Sequence, residues 1–289
     1  MVTDREGERG SGRLPDFVIV GAARAGTTAL WTYLREHPGA FLPFRKELNF
    51  FNEREPSTDA VARYRQLFEG ATDRQRVGEA SPLYLYSEDA AGRMAEVIPQ
   101  AALVVSLREP VARAYSHYWW RRLWRAEERS FEQAVDDELR GAAPPGAEYL
   151  AFSRYVGQLK RFARHFPREA IFVTLLSDLK ADADGVFDRL CHHVGIDPDL
   201  RPAVVGAKVN TSVDVRSVRL WRATQRWQLR YDRRVRPLEL VKRMNARRFV
   251  PPPIDEGVQA RLRRHFEEPN AELAAWLERD LSIWGPRSD

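Results

Sequence analysis

The spacing of apolar residues changes period repeatedly along this chain. Phe17 to Val20 and Ala101 to Leu107 are short apolar runs with little polar alternation, and Ile171 to Leu176 is a third. Runs of this kind mark strands buried on both faces of a parallel sheet. Helical spacing separates them. It predicts helices from Thr27 (Ala29, Leu30, Trp31, Leu34), over 58–69 (Val61, Tyr64, Leu67, Phe68), and over 88–98, where Pro99 stops the pattern. Further helices are expected from Pro110, over 130–140, before Pro167 (Leu159, Phe162, Phe166), over 184–194 and 216–244, and over about 255–280 behind Pro251 to Pro253. The stretch from His37 to Asn52 reads as loop, GAAPPG at 141–146 and 196–215 as surface loops, and Pro82 argues against a long regular element after Arg76. Strands alternating with helices predict an α/β fold, with a mostly parallel central sheet covered by helices on both faces. The expected organisation is a disordered tail over 1–14 and a single P-loop-like domain over 15–289, with a basic helical insertion at 216–248.

Composition narrows the class. With 44% hydrophobic and 30% charged residues in 289, the chain is globular and long enough for a large core. Its formal charge of +5 is mild and does not by itself call for nucleic acid. The distribution is uneven, since residues 216–248 hold twelve Arg and Lys against Asp232 and Glu239, which leaves the remainder net acidic. Cys191 is the single cysteine, which excludes an internal disulfide and a cysteine-based zinc site, and it is expected to fill a helix core. The six histidines give no metal spacing with carboxylates, so no metal is expected. No run reaches the length of a membrane span, and residues 1–13 are polar without an apolar signal region, so a cytoplasmic location is expected.

Candidate chemistry begins at residues 16–51. Gly21 and Gly26 bracket four residues between the first strand and the first helix, the spacing of a phosphate-binding loop. The free N–H groups and dipole of that helix suit an oxyanion. Where a nucleotide hydrolase carries its lysine this chain has Thr27, with Thr28 at the magnesium-binding position, and the fixed charge within the loop is Arg24. Arg108 ends the second strand, at the sheet edge where ligands gather in open α/β folds. Ser116 follows eight residues later, within the next helix.

GAARAGTTAL at 21–30, RKELNFF at 45–51 and SLREPVARAYSHY at 106–118 together resemble the phosphosulfate loop, catalytic turn and 3′-phosphate segment of sulfotransferases. The resemblance is nearest to the branch holding the sulfotransferase domains of heparan sulfate enzymes, as a bacterial-type member. It continues through GEASPLYL at 78–85, SRYVGQLKRFARHFP at 153–167 and the C-terminal LRRHFEEPNAELAAWLERDLSIW. It implies the donor 3′-phosphoadenosine 5′-phosphosulfate (PAPS), without a metal, and a sugar or small-molecule acceptor that gives up a hydroxyl or, second, an amine.

Residue by residue, the resemblance lays the 5′-phosphosulfate on the amides of Ala25, Gly26, Thr27 and Thr28 and sets Arg24 near the leaving oxygen. Arg108 and Ser116 would hold the 3′-phosphate. Animal relatives typically have lysine where this chain has Arg24, and arginine is a poor proton donor, so its implied role is electrostatic. Glu47 is the implied general base. Its neighbours Arg45 and Lys46 favour its ionised form, while burial against Phe50 and Phe51 would oppose it. Relatives often place histidine at the position of Asn49, and some a lysine at that of Ala80. Glu79 would orient a substrate or Arg24, or else close an ion pair. Trp119 is a candidate wall for the acceptor, and Lys208, Asn210 and Ser212 fall where the family folds a loop over the nucleotide.

Two other classes stay open at this level. A P-loop kinase or NTPase shares the glycine spacing, and a basic nucleic-acid or membrane-surface module could use 216–248. That segment reads first as a solvated basic helix, second as a steering surface for an acidic substrate, and third as a peripheral membrane contact. No nucleic-acid partner is expected, and the sequence leaves the oligomeric state open.

Overall fold

In the computed structural model, residues 12–52, 56–207, 213–231 and 236–285 are described. The first unit is β1 (Phe17–Gly21), α1 (Thr27–Glu36) and the two-residue β2 (Ala40–Phe41). Next come α2 (Thr58–Gln66), β3 (Arg76–Ala80), α3 (Ala90–Val97) and β4 (Ala102–Leu107). They are followed by α4 (Pro110–Leu123), α5 (Phe131–Leu139), α6 (Tyr155–Ala163), β5 (Ile171–Leu175), α7 (Leu176–Ala181) and α8 (Ala183–Val194). The C-terminal part holds β6 (Val213–Val215), α9 (Val218–Tyr231), α10 (Arg236–Asn245), β7 (Ala246–Arg248), α11 (Glu256–His265) and α12 (Glu267–Leu277).

The central sheet has the order β2-β3-β1-β4-β5, and all its pairings are parallel. Side-chain alternation divides its core. Val18 and Val20 of β1 and Leu103, Val105 and Leu107 of β4 face α3, α6 and α12 through Met94, Leu159, Phe162 and Leu273. Phe17, Ile19 and Val104 point the other way, to Leu30 and Leu34 of α1 and to Phe187, Leu190 and Cys191 of α8. Burial on both faces is why these strands carry no polar alternation. The chain leaves β1 toward β3 on one side and returns to β4 on the other, so their carboxyl ends open a crevice.

Several sequence expectations shift. β3 lies between β2 and β1 although it contains Gly78 and Glu79, poor strand formers. Gly78 pairs with Phe17 in the parallel register, and a Cβ there would run into the Phe17 ring. Close packing across the pair, not propensity, selects the strand. The last predicted helix is two, α11 and α12, parted at Phe266. Pro269 explains the break, because it has no N–H and its ring excludes the carbonyl four residues earlier, while the first turn of a new helix tolerates it. The basic segment is likewise two helices, α9 and α10, gathered at their base by the antiparallel pair β6 and β7. Asn245 closes that base, accepting from Ser217 N at 2.8 Å and donating to Ser217 O at 2.9 Å. Arg13, expected in the tail, donates to Gln75 O and Asp16 at 3.0 Å each. Among the described residues no helix is long and apolar enough to cross a membrane.

Gly78→Ala should lower the unfolding free energy by about 1–3 kcal/mol through overpacking against Phe17. Urea midpoints at unchanged slope measure it, and an unshifted midpoint would contradict the close β1–β3 contact.

Candidate active site

At the end of β1 the register with β4 shifts between Ile19 and Gly21, which frees the loop from the sheet. β4 then holds the loop down. Ala22 N donates to Ser106 O at 2.8 Å, and Ser106 Oγ donates to Ala25 O at 2.6 Å. Arg24 (φ 69°) and Gly26 (φ 98°) are both left-handed, immediately ahead of the start of α1 at Thr27. A side chain at Gly26 would also meet Leu176 at 2.8 Å. Thr27 and Thr28, as first residues of the helix, have no intrahelical acceptor for their amides. Ala25 differs from the expectation, since its N–H turns back to Ala22 O at 3.2 Å to close the loop.

The predicted cations come together here. Arg24 Nε donates to Ser116 Oγ at 3.3 Å, and Arg108 Nη1 donates to Arg24 O at 3.4 Å. Thus Arg108 and Ser116, from a strand end and from α4, meet around Arg24. Burial, then the neighbouring Arg108, pushes the Arg24 guanidinium below its ordinary pKa, with Glu47 opposing. Burial likewise lowers that of Arg108. Behind them Arg113 is fully buried, donating to Ser153 Oγ at 2.6 Å and reaching Ala23 O at 3.5 Å, so it braces the loop from the core side. Its charge contributes to pushing the buried His117 down to about 2, after burial itself, so His117 is neutral.

Sequence reasoning missed Lys46 as part of the loop. Its Nζ donates to Thr28 Oγ1 at 2.8 Å, reaches Thr27 Oγ1 at 3.4 Å, and stands 3.9 Å from Glu47 Oε1. An ammonium therefore lies against the hydroxyls of a loop that carries no lysine of its own. The only sequence signal was the adjacency of Lys46 to the candidate base. Burial, the largest cause, pushes Lys46 down to about 8; Glu47 raises it and Arg24 lowers it further.

Glu47 itself has φ 64°, a left-handed backbone uncommon for glutamate, and its side chain is 50% exposed. Burial against Phe50 and Phe51 is therefore not its environment. The turn is fixed from below: Glu47 N donates to Ala80 O at 2.9 Å, and Asn49 N donates to Ser81 Oγ at 3.0 Å. Phe51 is buried, and Phe50 stacks on Tyr64 at 4.2 Å.

Glu79 does not open onto this cleft or touch Arg24. It is 1% exposed and accepts from Tyr64 Oη at 2.6 Å, Tyr84 Oη at 2.9 Å and Ser81 Oγ at 2.7 Å. Burial raises its pKa above the usual carboxylate value, with the three hydroxyls opposing. Those same aromatics carry Phe50 and Phe51, so Glu79 anchors the turn that presents Lys46 and Glu47. Trp119 is half-buried on α4 and packs against Phe249 at 5.0 Å and Tyr115 at 6.1 Å. Lys208, Asn210 and Ser212 lie outside the described residues. The geometry gathers Arg24, Arg108 and Lys46 about the unbonded amides at the start of α1, beside a partly exposed carboxylate, an arrangement chemically suited to an anion.

Comparison with known proteins decides the family. Residues 14–213 match the sulfotransferase domain. The chain belongs to the sulfotransferase family. It is 31% identical over 189 residues to human heparan sulfate glucosamine 3-O-sulfotransferase 3A1, covering 63% of this chain and 46% of the relative. Human bifunctional heparan sulfate N-deacetylase/N-sulfotransferase 3 is 28% identical over 204 residues, 66% of this chain and 23% of that one. The chain thus spans about half the length of the first, or less of the second, of these curated relatives. A solved sulfotransferase from Alicyclobacillus acidocaldarius shares 27% identity at a TM-score of 0.71, covering 94% of this chain and 99% of that one. The sulfotransferase domain of this chain therefore carries the P-loop-like fold expected from its sequence.

Glu79→Ala would leave the Tyr64 and Tyr84 hydroxyls buried without their acceptor. A loss of about 2–4 kcal/mol in urea unfolding is expected, with Glu79→Gln losing much less because the amide oxygen still accepts. Equal losses in the two variants would refute the anchoring role.

Proposed function

We propose that this sulfotransferase-family protein transfers the sulfuryl group of PAPS, without a metal, to a hydroxyl, in preference to an amine, of a carbohydrate, glycosylated or other small-molecule acceptor. The observation that carries the reading is the meeting of Arg24, Arg108 and Ser116 at the loop that leads into the free amides of Thr27 and Thr28. Such a cluster of partly buried like charges is favourable only with an anion among them. A ligand with two separate anionic groups satisfies it, one on the helix terminus and one between Arg108 and Ser116. PAPS has both, at its 5′-phosphosulfate and its 3′-phosphate. Arg24, bonded to Ser116, adds fixed charge on the side of the 3′-phosphate.

In the reaction the acceptor hydroxyl attacks sulfur in line, and the bridging oxygen departs with the phosphate. Glu47 takes the acceptor proton, since its half-exposed carboxylate lies beside the cradle and can meet a hydroxyl arriving from solvent. The left-handed backbone at Glu47 is consistent with local strain held for function. Two curated relatives bear names that place their chemistry on heparan sulfate, which supports a sugar acceptor here. A kinase or NTPase is disfavoured because the Lys46 ammonium lies 2.8 Å from Thr28 Oγ1, the hydroxyl that such enzymes give to magnesium. The helices over 216–248, an insertion within the domain, fit peripheral contact with an acidic surface, and the protein is read as cytoplasmic.

Calorimetry with adenosine 3′,5′-bisphosphate against ADP tests the donor. The wild type should prefer the bisphosphate, and Arg108→Ala should weaken it roughly 10- to 100-fold while leaving ADP little changed. Equal affinity for the two nucleotides, or an unaffected variant, would overturn the assignment.

Glu47→Gln should retain bisphosphate affinity and lose turnover on glucosamine-containing oligosaccharides by roughly 10²- to 10⁴-fold. Glu47→Gly should be equally inactive yet more stable by about 1 kcal/mol, because glycine accepts the left-handed backbone. Full turnover in Glu47→Gln would remove the base assignment.

A further inference from the structure

We propose that Lys46, and not Arg24, is the catalytic residue at the leaving oxygen, giving it a proton as the sulfur–oxygen bond breaks, while Arg24 serves the 3′-phosphate side. This rests on the donor reading above. The geometry divides the two cations. Arg24 Nε is turned to Ser116 Oγ at 3.3 Å, and its carbonyl accepts from Arg108 at 3.4 Å, so its guanidinium belongs to the cluster on α4 and β4. Lys46 Nζ lies instead on the Thr28 and Thr27 hydroxyls, at 2.8 and 3.4 Å, beside the helix terminus that holds the 5′ end. Its other neighbour is Glu47 Oε1 at 3.9 Å. The ammonium therefore stands between the group that holds the donor and the group that receives the acceptor's proton.

The chemistry fits lysine better than arginine. Arginine stabilises charge but does not release its proton, whereas a partly buried ammonium does so readily. Lys46 is pushed down to about 8, by burial first, with Arg24 contributing and Glu47 opposing. Those two are the charged groups that face it from the loop and from its own turn.

The step balances. The bond from sulfur to the bridging oxygen breaks with its electron pair on oxygen, and a proton passes from Lys46 Nζ to that oxygen. The acceptor oxygen bonds to sulfur, and its proton goes to Glu47. The turn then holds neutral Lys46 and protonated Glu47, and a proton returned across the short gap between them restores the starting state.

Two variants and one labelling measurement test this, with water as the acceptor so that no sugar need be known. Sulfate released from PAPS is followed with excess enzyme, alongside calorimetry with adenosine 3′,5′-bisphosphate and 5′-AMP. Lys46→Arg keeps the charge, so it should bind the bisphosphate within about threefold of the wild type yet release sulfate roughly 10²-fold more slowly. Lys46→Met should be at least as slow while still preferring the bisphosphate over AMP, which also reports that it is folded. Arg24→Gln should lose that preference. Because Lys46 must be protonated to act, wild-type kcat/KM should fall as pH rises through about 8, and Lys46→Arg should show no fall there. Acetic anhydride labelling read by peptide mass spectrometry should find Lys46 reactive from about the same pH and shielded by the bisphosphate.

Unimpaired sulfate release by Lys46→Arg with the alkaline fall intact would overturn the proposal and leave the donor reading standing. So would labelling of Lys46 only at the pH of ordinary lysines. A wild type that binds bisphosphate and ADP equally, or releases no sulfate, would instead remove the donor reading, and this inference with it.

Discussion

The structure depends on holding positive charges together with too few negative ones. Arg24, Arg108 and Lys46 converge on the amino end of α1, and Glu47 is half exposed at the margin. Left alone, such a cluster would relax into solvent. It stays because each member is tied to a part of the fold that cannot move independently. Arg108 ends a strand buried on both faces, Arg24 lies in a loop pinned by Ser106, and Lys46 lies on a turn anchored by Phe50 and Phe51. The positions of these cations are therefore set by packing and hydrogen bonding elsewhere in the fold.

Buried polar groups carry much of that support. Glu79 is deep in the core, yet its bonded partners are hydroxyls, and two of them belong to rings that hold the turn carrying Lys46 and Glu47. Arg113 does the equivalent on the far side, linking α4, Ser153 and the carbonyl of Ala23. Neither residue needs to touch a ligand. Satisfied buried networks of this kind are rigid because any displacement leaves a polar group unpaired, and rigidity is what electrostatic catalysis requires of its surroundings.

The basic segment stands apart from this economy. α9 and α10 are joined at their base by β6 and β7, and they meet the rest of the domain where Trp221 packs on Trp124 at 6.2 Å. Leu220, Trp227 and Met244 remain exposed among the arginines.

Sequence alone determined the frame. The unalternating strands, the glycine loop, Pro110 opening α4 and Arg108 at the end of β4 were legible because they depend on local rules of backbone geometry and burial period. The family was legible for the same reason, since its motifs are contiguous. Tertiary structure decided what those rules do not reach. β3 was hidden because Gly78 and Glu79 are strand residues only by virtue of Phe17 beside one and of three hydroxyls around the other. Glu79 changed from cleft residue to buried anchor. The helix break at Phe266 needed only Pro269 and could have been read. Lys46 could not, because an ammonium brought to Thr28 across eighteen residues of chain is a fact of distance in space. A sequence records that lysine and glutamate are adjacent, but only the fold decides which of them reaches the start of α1.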